Sequence, residues 1–276
     1  MFDVASRSEA PPPALARADA ALTLGFARRG EKTVLADLRQ EGSLYARFPR
    51  GAGCTAVTLN NGGGIAGGDR FRLHATWQPG TRATVTAAAA EKVYRARAAD
   101  APACVQTALV VGEGAVAEWL PQETILFDGA RLDRTLSVTL APGARFLGVE
   151  ALVFGRTARG ERFGHGALVD RFQVSRDGRP LLHDAIRLSG DIAALLDRPA
   201  IAAGACAVGT LVRVSPDAAL RLDVLQDALG QAGAASAWDG MLVARLVAAD
   251  GARLRQAIVA ALAVLRDDPL PRTWLC

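Results

Sequence analysis

Phe71-Arg72-Leu73-His74-Ala75-Thr76-Trp77, closed by Gln78-Pro79-Gly80, reads as a strand followed by a turn. Strict alternation puts Phe71, Leu73, Ala75 and Trp77 on one face and Arg72, His74 and Thr76 on the other, the period of a half-buried strand. The same pattern recurs outward from it. Cys104 to Val111 is followed by Gly112-Glu113-Gly114, and Leu132 to Leu140 by Ala141-Pro142-Gly143. Between Phe172–Ser175 and Leu181–Ile186 stands Asp177-Gly178, a hairpin signal because both residues tolerate positive φ. Short runs punctuated in this way predict stacked antiparallel sheets as far as about residue 214.

The tail reads differently. Ser215-Pro216 has the form of an N-cap and a first-turn proline, with Leu222, Leu225 and Leu229 on one helical face and Gly230 as a stop. Met241 to Val247 predicts one more strand. Leu254, Ile258, Leu262 and Leu265 keep the helical period, and Pro269 ends it. The expected fold class is mainly β: a β-helix-like two-layer body of stacked antiparallel sheets, with two α-helices near the C-terminus. Residues 1–13, ending in three prolines, are expected to be a flexible leader, and 14–276 a single domain.

Half of the 276 residues are hydrophobic and 22% are charged, enough apolar material for a sizeable core and too much for a disordered chain. The net charge is +4, and lysine occurs only at Lys32 and Lys92, so arginine carries almost all the positive charge. Those arginines are dispersed without runs, the mark of a solvated surface more than of a nucleic-acid footprint. Cys54, Cys104, Cys206 and Cys276 lie far apart with no C-x-x-C. No secretory signal opens the chain, and no apolar stretch reaches membrane-spanning length. The expected location is the cytoplasm, with reduced thiols.

Several catalytic readings fail on particular residues. Asn60 to Asp69 is glycine-rich, but a phosphate-binding loop needs Lys and Ser/Thr after its last glycine, and here Asp69 would repel phosphate. A dinucleotide fingerprint needs a helix next, whereas Arg70 to Trp77 is strand-like. A tight crossover that only glycine can make is the reading that survives. No G-x-S-x-G elbow exists, and a Ser or Cys dyad would have to use His74, His165 or His183, none with neighbours that would tune it. Transition metals favour imidazole and thiolate, yet no two of the three histidines and four cysteines stand at ligand spacing. A tightly bound metal is therefore not expected. Glu123, set between apolar runs in Trp119 to Phe127, demands a partner if buried, with Arg131, Arg134 or Arg156 as candidates.

Gly63-Gly64-Ile65-Ala66-Gly67-Gly68-Asp69, Glu91-Lys92-Val93-Tyr94-Arg95, Trp119 to Phe127 (W-L-P-Q-E-T-I-L-F), Gly155 to Glu161 (G-R-T-A-R-G-E) and Asp184 to Leu188 (D-A-I-R-L) occur in the order and spacing of one known family. Across about residues 20–190 the chain resembles the urease accessory protein D family. One position departs from the family pattern: where a T-T-Q run precedes the K-V-Y-R strand, this chain has Thr86-Ala87-Ala88.

The resemblance implies a β-rich, non-catalytic maturation factor. Its implied partners are apo-urease, the accessory protein F and, through F, the accessory protein G, a GTPase that brings nickel. It also implies no tightly bound cofactor, with nickel in transit toward the urease active site. Whether two copies dimerise within that complex is left open. Asp69, Glu123, Glu150 and Glu161, carboxylates embedded in apolar or glycine-rich segments, are the candidate passage or interface residues. The alternative is an independent β-rich module that binds an anionic ligand such as RNA through its arginines; its aromatic content, 5%, is low for that role.

Overall fold

The structure is a computed structural model that describes residues 16–51 and 53–275. The expected leader and Cys276 lie outside the described residues. In chain order the strands run β1 (Asp19–Arg29), β2 (Lys32–Glu41), β3 (Leu44–Arg47), β4 (Cys54–Asn60), β5 (Arg70–Trp77), β6 (Arg82–Ala87) and β7 (Glu91–Val93). Then come β8 (Ala103–Val111), β9 (Val116–Leu120), β10 (Thr124–Leu126), β11 (Arg131–Leu140), β12 (Arg145–Phe154), β13 (His165–Arg176) and β14 (Arg179–Asp191). The tail holds α1 (Ile192–Asp197), β15 (Ala207–Val214), α2 (Leu222–Leu229), β16 (Gly233–Trp238), β17 (Met241–Ala248) and α3 (Gly251–Leu265).

Two sheets make a two-layer body. The seven-stranded sheet has the order β14-β13-β11-β8-β5-β1-β2. The ten-stranded sheet follows the path β16-β17-β15-β12-β9-β6-β4-β3, with β7 and β10 attached through β12. The mainly β, two-layer expectation holds, and α2 and α3 fall where the leucine spacing put them.

The expected strand direction needs correcting. The ladders β1–β5–β8–β11–β13 and β4–β6–β9–β12 are parallel, and antiparallel pairing is confined to the flanks. The chain alternates between sheets, from β4 across to β5 and back to β6, so each strand returns to its own sheet one rung further on and in the same direction. The turns at 78–80, 112–114 and 141–143 are therefore arches between sheets. They stack through Gly80 N–H to the Glu113 carbonyl (2.8 Å) and Gly114 N–H to the Pro142 carbonyl (3.3 Å). Asp177-Gly178 is a true hairpin, with φ of 52° and 73°, joining antiparallel β13 and β14.

β12 is buried along nearly its whole length. Its even-numbered side chains Phe146, Leu152 and Phe154 pack between the sheets, while Leu147, Val149, Ala151 and Val153 pack beneath α2 and α3. A strand covered on both faces reads as a continuous apolar run, which is how 146–154 is written. Burial of Leu254, Ile258, Leu262 and Leu265 fixes α3 on that outer face, each large side chain contributing about 1.5–3 kcal/mol.

The helix start predicted at Ser215 moves to Leu222, after a short 3₁₀ turn at Ala219–Arg221. The Ser215 hydroxyl is otherwise engaged: it donates to Asp217 (2.6 Å) and accepts from Arg213 Nε (3.0 Å).

Candidate functional site

The space between the sheets is apolar at both ends and charged in the middle. On β11 the alternation that buries Leu132, Leu136, Val138 and Leu140 also turns Arg134 inward. On β13, Asp170 stands between buried Leu168 and Phe172, and on β12 Glu150 shares the inner face with Phe146 and Leu152. Register assembles these residues. Arg134 lies beside Asp170 in one sheet; in the other, Glu150 lies beside Thr210, and Thr210 beside Arg245.

The Arg134 guanidinium joins the two rows. Its Nε and Nη2 form a fork on Asp170 (2.7 and 2.8 Å), and its Nη1 reaches Glu150 (2.7 Å) and Thr124 Oγ1 (3.1 Å). Trp119 Nε1 donates to the second Glu150 oxygen (2.8 Å). Toward the surface, Arg245 holds Asp184 (2.5 Å) and donates to Thr210 (3.1 Å), with nearly half of its side chain in solvent. Arg134 stays charged because Asp170 and Glu150 outweigh the burial that opposes its charge. Burial pushes the Glu150 carboxyl up, against the pull of Arg134.

A cavity of about 140 Å³, walled by Asn60, Glu91, Gln122, Thr124, Arg134 and Glu150 among others, lies on one side of this junction. That volume admits several waters. A smaller pocket of about 10 Å³, walled by Asp170, Asp184 and Thr210, lies on the other side, and Glu150 borders both. Burial also raises the Glu91 carboxyl, while Asn60 and the Lys92 backbone N–H pull it back. The result is a file of oxygen donors and paired charges running from the interior to the surface at Arg245.

The four expected carboxylates do not come together. Glu150 is at the centre of the file. Asp69 is buried, but its oxygens accept the backbone N–H groups of Ala18 (2.9 Å) and Ala66 (2.7 Å), stapling the glycine-rich loop to the strand edge. Glu161 pairs with Arg156 and accepts the Asp128 N–H (3.3 Å), which closes a surface turn. Glu123 is half-buried, and its partner is Arg255 on α3 (3.7 Å), not Arg131, Arg134 or Arg156. Its position faces the helical tail, which local sequence does not reveal.

Asp170, Asp184 and Arg245 are not singled out as site residues by the sequence, and Arg134 is named only as a candidate partner of Glu123. Their signal is a charged residue in the apolar phase of an alternating strand, such as Leu168-Val169-Asp170-Arg171-Phe172.

His74, His165 and His183 are all exposed. Among the described residues no group of three or more His, Cys, Asp or Glu is placed to hold a metal ion, and Cys54, Cys104 and Cys206 are free thiols. No helix among them is long and apolar enough to cross a membrane.

Known proteins resemble the chain over nearly its whole length. The family model described as UreD urease accessory protein matches residues 18–275. The urease accessory protein UreD of Xanthobacter autotrophicus is 47% identical over 249 residues, covering 89% of this chain and 86% of that protein. That of Methylobacterium sp. (strain 4-46) is 47% identical over 256 residues, covering 89% and 90%. That of Azorhizobium caulinodans is 43% identical over 268 residues, covering 95% and 98%.

Proposed function

The chain belongs to the UreD urease accessory protein family, and from that premise we propose that it is the scaffold through which nickel reaches apo-urease. Its part in urease maturation is accessory, not catalytic. The observation that supports a passage is the buried polar file: carboxylates, amides and hydroxyls set between two apolar clusters and bordering two cavities. Burying such groups costs stability unless they are paired, so a file of this length is an expense that packing alone does not require.

Its chemistry suits transit. Oxygen donors bind nickel more weakly than imidazole or thiolate clusters do, and a weakly held ion can leave. In this reading accessory protein F docks on the chain, the GTPase G delivers nickel through F, and apo-urease receives it, all in the cytoplasm. Glu150 lines the route. Asp69, Glu123 and Glu161 line neither cavity and serve the loop, tail and turn contacts already described.

The test is a deletion strain complemented with alanine variants of Asp69, Glu123, Glu150 and Glu161. Deletion is expected to leave urease synthesised but nickel-poor and inactive. Glu150→Ala is expected to lower activation while the variant still co-purifies with urease, whereas Asp69→Ala lowers activation together with melting temperature. Fully metallated, active urease in the deletion strain would refute the role.

A further inference from the structure

Arg134 occupies the place between two carboxylates where a cation would sit. Three of its nitrogens contact Asp170 and Glu150 at 2.7–2.8 Å, and its side chain is only 12% exposed. The guanidinium supplies one positive charge to two negative ones. A divalent ion would supply two, and with ligand distances near 2.0–2.6 Å it would need the same oxygens. Guanidinium and metal thus exclude each other.

A second observation concerns the cavity beside the junction, where the Gln122 Oε1 accepts from Arg255. Gln122, 7% exposed, lines the same cavity as Arg134 and Glu150, and its Nε2 meets no protein acceptor. A buried donor without a partner is rare and calls for a water or ligand oxygen beside it.

We infer that Arg134 is an internal latch: it fills the Glu150–Asp170 cation position and keeps the chain from trapping a divalent metal there. The inference takes its cargo from the passage reading, but it concerns a property of the isolated chain. Opening the latch means moving the guanidinium off Asp170 and Glu150, and the Thr124 hydroxyl on the cavity side is the contact it already makes in that direction.

Equilibrium dialysis of the purified full chain against Ni²⁺ alone tests it. The wild type is expected to show only weak binding. Arg134→Met, which keeps most of the volume and removes the charge, is expected to gain one site per chain, on the order of a hundredfold tighter, the scale of a strong coupling between mutually exclusive occupants. Adding Glu150→Gln and Asp170→Asn to that variant abolishes the gain. Arg134→Lys keeps the charge without the fork and, should the Met variant fail to fold, carries the test by itself, with affinity between those of wild type and Arg134→Met.

Wild-type affinity in the folded variants, or tight binding that survives loss of both carboxylates, overturns the latch. Urease activation is scored separately. A gained site with unaltered activation upholds the latch and counts against the passage.

Discussion

At the scale of single residues, the glycine-rich loop shows how a motif can be structural and still be strictly written. Gly64 has φ of 148°, and a Cβ there would lie 2.5 Å from the Tyr94 ring and 2.8 Å from the Lys92 carbonyl. The same carbonyl accepts Ile65 N–H (2.7 Å), and the Tyr94 hydroxyl donates to the Gly63 carbonyl (2.6 Å). The loop is thus pressed onto β7 and Tyr94 just after it, with no room for a side chain at the contact. Gly64→Ala is expected to cost about 2 kcal/mol or more. Gly63→Ala, at φ of 82° with nothing within 4 Å, is expected to cost about 1 kcal/mol. Urea denaturation of the two variants separates crowding from backbone strain, and equal costs would contradict the packing account. The reading of this loop as a glycine-only crossover was legible because the forbidden neighbour, Asp69, is local. The partner of Glu123 was not legible, because Arg255 joins it only after the tail has folded back over β10.

At the scale of elements, one arginine fastens the helical tail. Arg213 on β15 donates to the Leu265 carbonyl at the end of α3 (2.6 Å) and to both oxygens of Asp217 ahead of α2 (3.0 and 2.9 Å). The Ser215 hydroxyl, then Arg213, hold the Asp217 carboxyl at about 2 against partial burial. A carboxyl whose value is lower when folded than when unfolded stabilises the fold above its unfolded range, near 3.9. That contribution fades as pH falls through about 4 toward 2. Asp217→Asn is therefore expected to melt earlier than wild type at neutral pH, with the difference shrinking across that window. Circular dichroism melts at stepped pH measure it, and a difference constant down to pH 2 would rule out the linkage. Elements built from local signals were readable: α3 from its leucine spacing, and the Asp177-Gly178 hairpin from two adjacent residues that accept positive φ. Gln78-Pro79-Gly80 was readable as a turn but not as an arch, because turn residues do not say which sheet receives the next strand. For the same reason Ser215-Pro216 gave a cap signal, while the competing bonds from Arg213 and Asp217 decided where α2 begins.

At the scale of the whole molecule, strand alternation between two sheets creates the polar file and hides it from the sequence. Arg134, Glu150, Asp170 and Asp184 sit on four different strands; the parallel register of β11 with β13, the antiparallel pairing of β13 with β14, and the packing of β12 across from them bring their row into line. The same assembly consumes charge. Exposed arginines are met by carboxylates over the surface, among them Arg72 by Asp19, Arg82 by Asp268, Arg95 by Asp128 and Arg162 by Asp197. A chain of net charge only +4, with many of its dispersed arginines paired to carboxylates, presents little unbroken positive field to a phosphate backbone. Stacking platforms are also few: Phe48, Tyr94 and Trp238 are each less than half exposed, the Tyr94 hydroxyl is tied to Gly63, and its ring meets Phe127 edge-on. Tight binding of single strands draws on both a basic groove and stacked aromatics. A single-stranded RNA oligonucleotide is therefore expected to bind no more tightly than about 10⁻⁵ M at physiological salt, within the non-specific range. Fluorescence anisotropy across salt concentrations decides it. Submicromolar affinity that weakens steeply with salt would mean that the arginine surface reads phosphates after all, and that the ion pairs covering it open readily.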